Sequence, residues 1–217
     1  MVRLVRRWAV FAFLAFVVVA SGCSPSGSST DGGHGGSPAT ASIPGGGQDS
    51  LHPVVVLETS KGAITVRLDA EKAPLTVENF LAYVQSGHYD QTIFQVFPGQ
   101  AIVGGGYNAD LTEKLALTPI RNEAHNGLKN ARGTIAMVRS PDAIDSARSQ
   151  FFINLADNTA FDHKDRTTEG YGYCVFGQVV TGLDVADRIA AVPVHDTPEC
   201  LSVPEETILL KSAKRTQ

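Results

Sequence analysis

Three places along this 217-residue chain set side chains close enough to hold a metal or move protons. Glu123 and His125 are two residues apart, the spacing of an acid/base pair or of two metal ligands. Asp162-His163 stands near Asp165 and Arg166, but without a nucleophile this reads as a solvated charged loop. His195-Asp196 lies in a Pro-containing loop with no Ser or Cys in nucleophile context, so a hydrolytic triad is not indicated. Gly104-Gly105-Gly106 has the look of a phosphate cradle, yet no Lys-Ser/Thr follows it and no helix pattern starts there. It reads instead as a bend in the backbone. Cys174 sits in an apolar run between Tyr173 and Val175 and is expected to be a small buried hydrophobe, and nothing in the sequence brings it to Cys200. His34 is alone among glycines and reads as solvated. No metal or cofactor is expected from these spacings.

The elements that would position such residues occupy only part of the chain. Arg3, Arg6 and Arg7 precede an uncharged, mostly apolar run from Trp8 to Ala20, and Val19-Ala20-Ser21-Gly22-Cys23 follows. A membrane-spanning helix needs about 20 apolar residues, so residues 1–22 read as a signal peptide. Small residues running into Cys23 resemble a bacterial lipobox, with Val-Ala where Leu is usual. Lipidation of Cys23 is expected, which places the protein in the cell envelope. It would be anchored to a bacterial membrane by lipid alone and face the periplasm or the exterior. Between Cys23 and Leu51 eight Gly, seven Ser and three Pro fill 18 of 27 positions, a composition that cannot form a core. Residues 23–50 therefore read as a flexible linker, and 51–217 as the one folded domain, expected to be a monomer. Its charge is −5, from 15 basic and 20 acidic residues. With no cluster of Lys or Arg, nucleic acid is excluded as the main partner.

Within the domain, Val54–Leu57 is a β-branched run, and Ile64, Val66 and Leu68 alternate with Thr65 and Arg67. Ser60-Lys61-Gly62 between them reads as a hairpin turn. Val77, Phe80, Leu81 and Val84 share one face of a helix that Pro74 can open and Gly87 can close. Thr134–Val138, Gln150–Asn154, Tyr173–Val180 and Ile208–Ser212 read as strands, and Leu183–Ala190 as a second helix. Many short strands with two helices predict a mainly β antiparallel barrel or sandwich.

The order of motifs resembles the cyclophilin family of peptidyl-prolyl cis-trans isomerases. The resemblance is carried by Ala73-Pro74, Glu78-Asn79-Phe80, Gly104-Gly105-Gly106, Asn122–Leu128, Arg132–Met137, Ser149–Ile153 and Tyr171–Gly177. It implies an eight-stranded antiparallel barrel capped by two helices, with an outer groove that binds proline-containing peptides. It also implies that the segment from Glu123 to Gly127 is a structural surface loop. Partners would be proline-containing peptides and unfolded exported proteins. The implied reaction makes no covalent bond. The barrier to peptide rotation, about 18–20 kcal/mol, falls when a donor to the prolyl nitrogen weakens amide resonance.

This chain departs from the family at that donor. The family reads Phe-His-Arg-Val where this chain reads Phe94-Gln95-Val96, one residue shorter and without the Arg. Two alignments are open: Gln95 holds the His place and the Arg is deleted, or Gln95 stands in the Arg slot before Val96. Gln95 and Gln150 are the candidate catalytic residues. Phe152, Met137, Phe161, Tyr173, Ala101, Val103 and Arg139 are the candidate substrate-binding residues. Gln100 stands for a usual Phe, Ala101 for Met, Val103 for Gln, Arg139 for Asn, and Ala160 for Trp or Phe. Arg139 and Arg148 are candidates to supply the missing charge. The reading is an isomerase with weakened turnover, the alternative a non-catalytic prolyl-peptide or protein-binding module on the same fold.

Overall fold

The computed structural model describes residues 50–198 and 200–216; the expected signal peptide, Cys23 and the rest of the expected linker lie outside the described residues. The first elements are β1 (Val54–Thr59), β2 (Gly62–Leu68), α1 (Pro74–Gln85), β3 (Thr92–Ile93), β4 (Gln95–Phe97) and β5 (Ala101–Gly104). They are followed by β6 (Thr134–Met137), β7 (Phe151–Asn154), β8 (Val175–Thr181), α2 (Leu183–Ala190), β9 (Val194–His195), β10 (Val203–Pro204) and β11 (Leu209–Arg215). The main sheet runs β3-β11-β1-β2-β8-β6-β7-β5-β4, all pairs antiparallel.

The two ends of that order, β3 and β4, are halves of one extended segment, 92–97, interrupted at Phe94. One half pairs with β11 and the other with β5, so the sheet closes on itself as a barrel of eight extended segments. Strand alternation then gives the barrel an inside and an outside. Val96, Ile102, Ile153 and Ile135 face each other across β4, β5, β7 and β6 and fill the interior.

Both expected helices form. α1 buries Val77, Phe80, Tyr83 and Val84. The Phe80 ring packs 5.1 Å from Tyr89, 5.5 Å edge-on from Phe151 and 5.1 Å from Phe176, which ties the helix to the barrel interior. Its C-terminus closes as the sequence suggests: the Gly87 N–H donates to the Val84 carbonyl and the His88 N–H to the Tyr83 carbonyl, with Gly87 at φ +68. α2 spans Leu183–Ala190, the predicted bounds, and buries Val185, Ala186 and Ile189. Among the described residues no helix is long and apolar enough to cross a membrane.

Two local expectations differ. The strand read from Tyr173 starts at Val175, because the Tyr173 N–H is taken by the Phe161 carbonyl at 2.9 Å and Gly172 turns with φ +78. His195 is not in an irregular loop but in β9, paired with Val203 of β10.

Candidate active site

The outer face of the barrel carries a second apolar cluster, separate from the core. It consists of Ala101, Val103, Ala136, Phe152 and Val175, with Phe97, Leu128, Val138, Phe161 and Tyr173 packed against it. Strand register builds it. Gln95 lies opposite Val103, Val103 opposite Phe152, Phe152 opposite Ala136, and Ala136 opposite Val175. Directly opposed residues share a face, so this row crosses five strands on the outer surface, and neighbouring strands are about 4.8 Å apart. Gln95 therefore stands about 10 Å from Phe152 along the row.

With Val96 turned inward and Phe97 outward, Gln95 is the outward residue immediately before Val96. Phe94 leaves the ladder there, and its N–H donates to the Ile208 carbonyl at 2.9 Å. The Gln95 Nε2 donates to the Leu201 carbonyl at 2.9 Å. A primary amide has two N–H bonds, so one remains.

Three aromatic rings pack together at one side of the cluster. Phe152, 2% exposed, is 5.8 Å from Phe161 and 5.7 Å from Tyr173, and Phe161 is 5.1 Å from Tyr173, all edge-on. Edge-to-face contacts of this kind hold rings in place. Asn130, which sequence reasoning did not single out, fixes the two loop aromatics: its Nδ2 donates to the Phe161 carbonyl at 3.0 Å and the Tyr173 carbonyl at 3.3 Å. The Asp162 carboxylate accepts the Asn130 N–H at 2.7 Å, and His163 Nδ1 is 2.8 Å from the Tyr171 carbonyl. Asp162 and His163 thus brace this loop, and only Asp165 and Arg166 are the exposed charges expected there.

The glycine run bends the chain beside the cluster. A Cβ at Gly105, where φ is +85, would lie 2.6 Å from the Tyr89 ring. One at Gly106 would fall on the Gln150 side-chain amide, so the absence of a side chain is what lets Gln150 lie across the backbone there.

Other candidates sit elsewhere. Met137 is 1% exposed and belongs to the interior cluster, because strand parity puts Ala136 outward and Met137 inward. Arg139 is 4% exposed and is not turned to a ligand. Its Nε donates to the Gly172 carbonyl at 2.8 Å, one Nη to the Ser140 carbonyl at 2.9 Å and the other to the Thr168 carbonyl at 2.6 Å. Arg148 is exposed and donates to the Leu117 carbonyl at 3.2 Å, outside the outer cluster. Ala160 is exposed on the short turn that ends in Phe161. Glu123 is buried rather than in a surface loop: its carboxylate accepts the Leu75 N–H at 3.2 Å, the Thr76 N–H at 2.8 Å and the Thr76 hydroxyl at 2.7 Å, at the N-terminus of α1. Cys174 and Cys200 are both buried. Among the described residues no group of three His, Cys, Asp or Glu side chains is placed to hold a metal.

Sequence comparison agrees with this geometry. The family described as "Cyclophilin type peptidyl-prolyl cis-trans isomerase/CLD" matches residues 54–214. Peptidyl-prolyl cis-trans isomerase A of Dickeya dadantii (strain 3937) is 48% identical over 161 residues, covering 74% of this chain and 83% of that one. Peptidyl-prolyl cis-trans isomerase cyp18 of Streptomyces antibioticus is also 48% identical over 161 residues, covering 74% and 96%. A crystal structure of a Cryptosporidium parvum cyclophilin type peptidyl-prolyl cis-trans isomerase, determined in the presence of the dipeptide Ala-Pro, shares the fold with a TM-score of 0.62 at 22% identity, covering 76% and 99%. With a closed eight-segment barrel, an apolar outer cluster and a match across nearly the whole folded part, this chain belongs to the cyclophilin family and is a peptidyl-prolyl cis-trans isomerase.

Proposed function

We propose that the outer cluster is the prolyl site, that Gln95 stands in for the family's Arg, and that the protein turns over more slowly than an Arg-bearing relative. The register carries this reading: Gln95 is the outward residue at the end of the row that leads through Val103 to Phe152. Phe152, Phe161 and Tyr173 offer the proline ring an apolar wall, with Ala101 and Val103 as a low floor. Gln95 then presents its remaining amide N–H toward the prolyl nitrogen, while Gln150, lying across Gly106, contacts the peptide on the far side. A neutral N–H is a weaker donor than a guanidinium, and losing one preorganised donor typically costs about 10²–10³ in rate.

On the same reading the protein is exported and lipid-anchored through Cys23, with its clients unfolded proteins of the envelope. The signal-like residues 1–22 and the Gly/Ser/Pro-rich stretch up to Leu51 support this, because a stretch of that composition and length would, as a coil, span roughly 25–30 Å.

The test is isomerisation of a short X–Pro peptide by the purified protein and by Gln95→Ala. Catalysis that drops at least tenfold in Gln95→Ala places Gln95 at the prolyl nitrogen; undiminished catalysis removes it from that role. Binding of a proline peptide without catalysis would favour the binding-module reading. Growth with labelled palmitate, with Cys23→Ser as control, tests the anchor.

A further inference from the structure

The Tyr173 ring is held from behind by a buried cation. The Arg139 guanidinium carbon lies 5.2 Å from the ring centroid. Among the described residues no carboxylate forms an ion pair with Arg139; its charge is spread over the carbonyls of Ser140, Thr168 and Gly172 and the Tyr173 ring face. The edges of Phe152 and Phe161 pack on the same ring. A buried unpaired charge is costly, so this arrangement fixes the ring and both loops that carry it.

The Tyr173 hydroxyl, by contrast, makes no hydrogen bond to any described residue. Among these residues no fully buried side-chain nitrogen or oxygen lacks a partner, so this hydroxyl keeps some contact with solvent, on a half-buried residue of the outer cluster. It is an oriented donor with nothing yet to donate to. Burial pushes the phenol above its ordinary value, against the opposing pull of Arg139, so it stays protonated at neutral pH.

Building on the assignment of the outer cluster as the prolyl site, we propose that Tyr173 is a substrate-binding donor, its hydroxyl bonding a carbonyl of the bound prolyl peptide, and that Arg139 is a positioning residue acting through it. The cation on the ring face orients Tyr173 and draws electron density from the phenol, which strengthens the O–H as a donor. Arg139 itself does not touch the peptide.

The experiment is a double-mutant cycle on the full chain, reading KM, kcat and the dissociation constant of an Ala-Pro-containing peptide. A donor to a carbonyl present in both ground and transition state contributes uniform binding. Tyr173→Phe should therefore raise KM and the dissociation constant about fivefold with kcat within twofold, the size expected for one neutral hydrogen bond. Arg139→Gln should do the same, and the double variant should be no worse than either single one. Should Arg139→Gln fail to fold, Arg139→Lys takes its place, since lysine keeps a cation but loses the planar fork to Gly172 and Thr168. Tyr173→Phe indistinguishable from wild type, a fall in kcat, or losses that multiply in the double variant would each overturn the proposal. Phe161→Ala separates the two levels. If it leaves KM unchanged, the prolyl site is not this cluster and the underlying reading fails. If it raises KM while Tyr173→Phe does not, only the role of Tyr173 fails.

Discussion

At the scale of single residues the outer cluster ends at Gln95, a neutral side chain. Replacing Gln95 by Arg restores a charged donor in the same outward slot, where it can still donate to the Leu201 carbonyl. Gln95→Arg is expected to raise kcat/KM at least tenfold toward the 10²–10³ of a preorganised donor, read in a coupled X–Pro isomerisation assay. Gln95 could be nominated from sequence, but its slot could not be fixed there. A one-residue deletion flips side-chain parity, and only the pairing of Gln95 with Val103 shows which way its side chain faces. Met137 faces inward because Ala136 takes the outward place, and a strand four residues long leaves its facing ambiguous until its partners are known. Phe97, by contrast, was within reach: it lies two residues on from Gln95 and so on the same face. Arg139 reads from sequence as a residue that could bring charge to the substrate, because burying an Arg on carbonyls and a ring leaves no trace in its own sequence. The Cys174 thiol gives a second residue-scale expectation. Burial pushes it up to about 12, with the Thr76 hydroxyl at 3.4 Å pulling the other way. A thiol reagent at pH 8 should modify Cys174 at the rate at which the protein opens, rising with urea, and modification at the rate of a free thiol would refute this.

At the scale of elements, α1 is closed at its C-terminus by its own sequence and at its N-terminus by a distant one. Ala73 caps nothing with its side chain, and Glu123 supplies the missing acceptor from 47 residues away. Glu123→Ala leaves the Leu75 and Thr76 donors without their acceptor and should cost about 1–3 kcal/mol, measured as a shift of the urea midpoint with unchanged slope. A midpoint shift below 0.5 kcal/mol would mean that water replaces the carboxylate. This long-range cap explains what the sequence hid: Glu123 beside His125 resembled chemistry because its true partner is not nearby in the chain. Helices and hairpins were legible because their signals are local. Pro74 and Gly87 bound α1, and Ser60-Lys61 joins Thr59 to its partner Gly62. The short β3, β4, β9 and β10 were not, because two or three residues carry too little alternation to read.

At the scale of the whole molecule, stability should depend on pH through His88, which joins the end of α1 to the glycine bend. Its ring stacks 4.6 Å from Tyr83, and Nε2 is 3.3 Å from the Gly105 carbonyl. Burial is the main force holding the imidazole below its usual 6.5; Lys114 adds to it and the Gly105 carbonyl opposes it. The unfolded chain then binds a proton at a pH where the folded one does not, so stability rises with pH across that interval. It is present in full above about 6.5 and is lost as pH falls from there to the folded value. Urea midpoints at pH 7.5 and 5.5 should differ more in the parent than in His88→Gln; equal differences would assign the acid limb to other groups.

The closing segment 92–97 has a consequence for a molecule whose ligands are extended peptides. An unpaired strand border accepts such a peptide as one more strand and holds it by main-chain bonds that ignore sequence. Here the flanks of the segment are occupied: the Ile93 N–H donates to the Tyr107 carbonyl, the Phe94 N–H to Ile208 and the Val96 N–H to Ser202. A peptide is thereby denied this border as a place to add a strand.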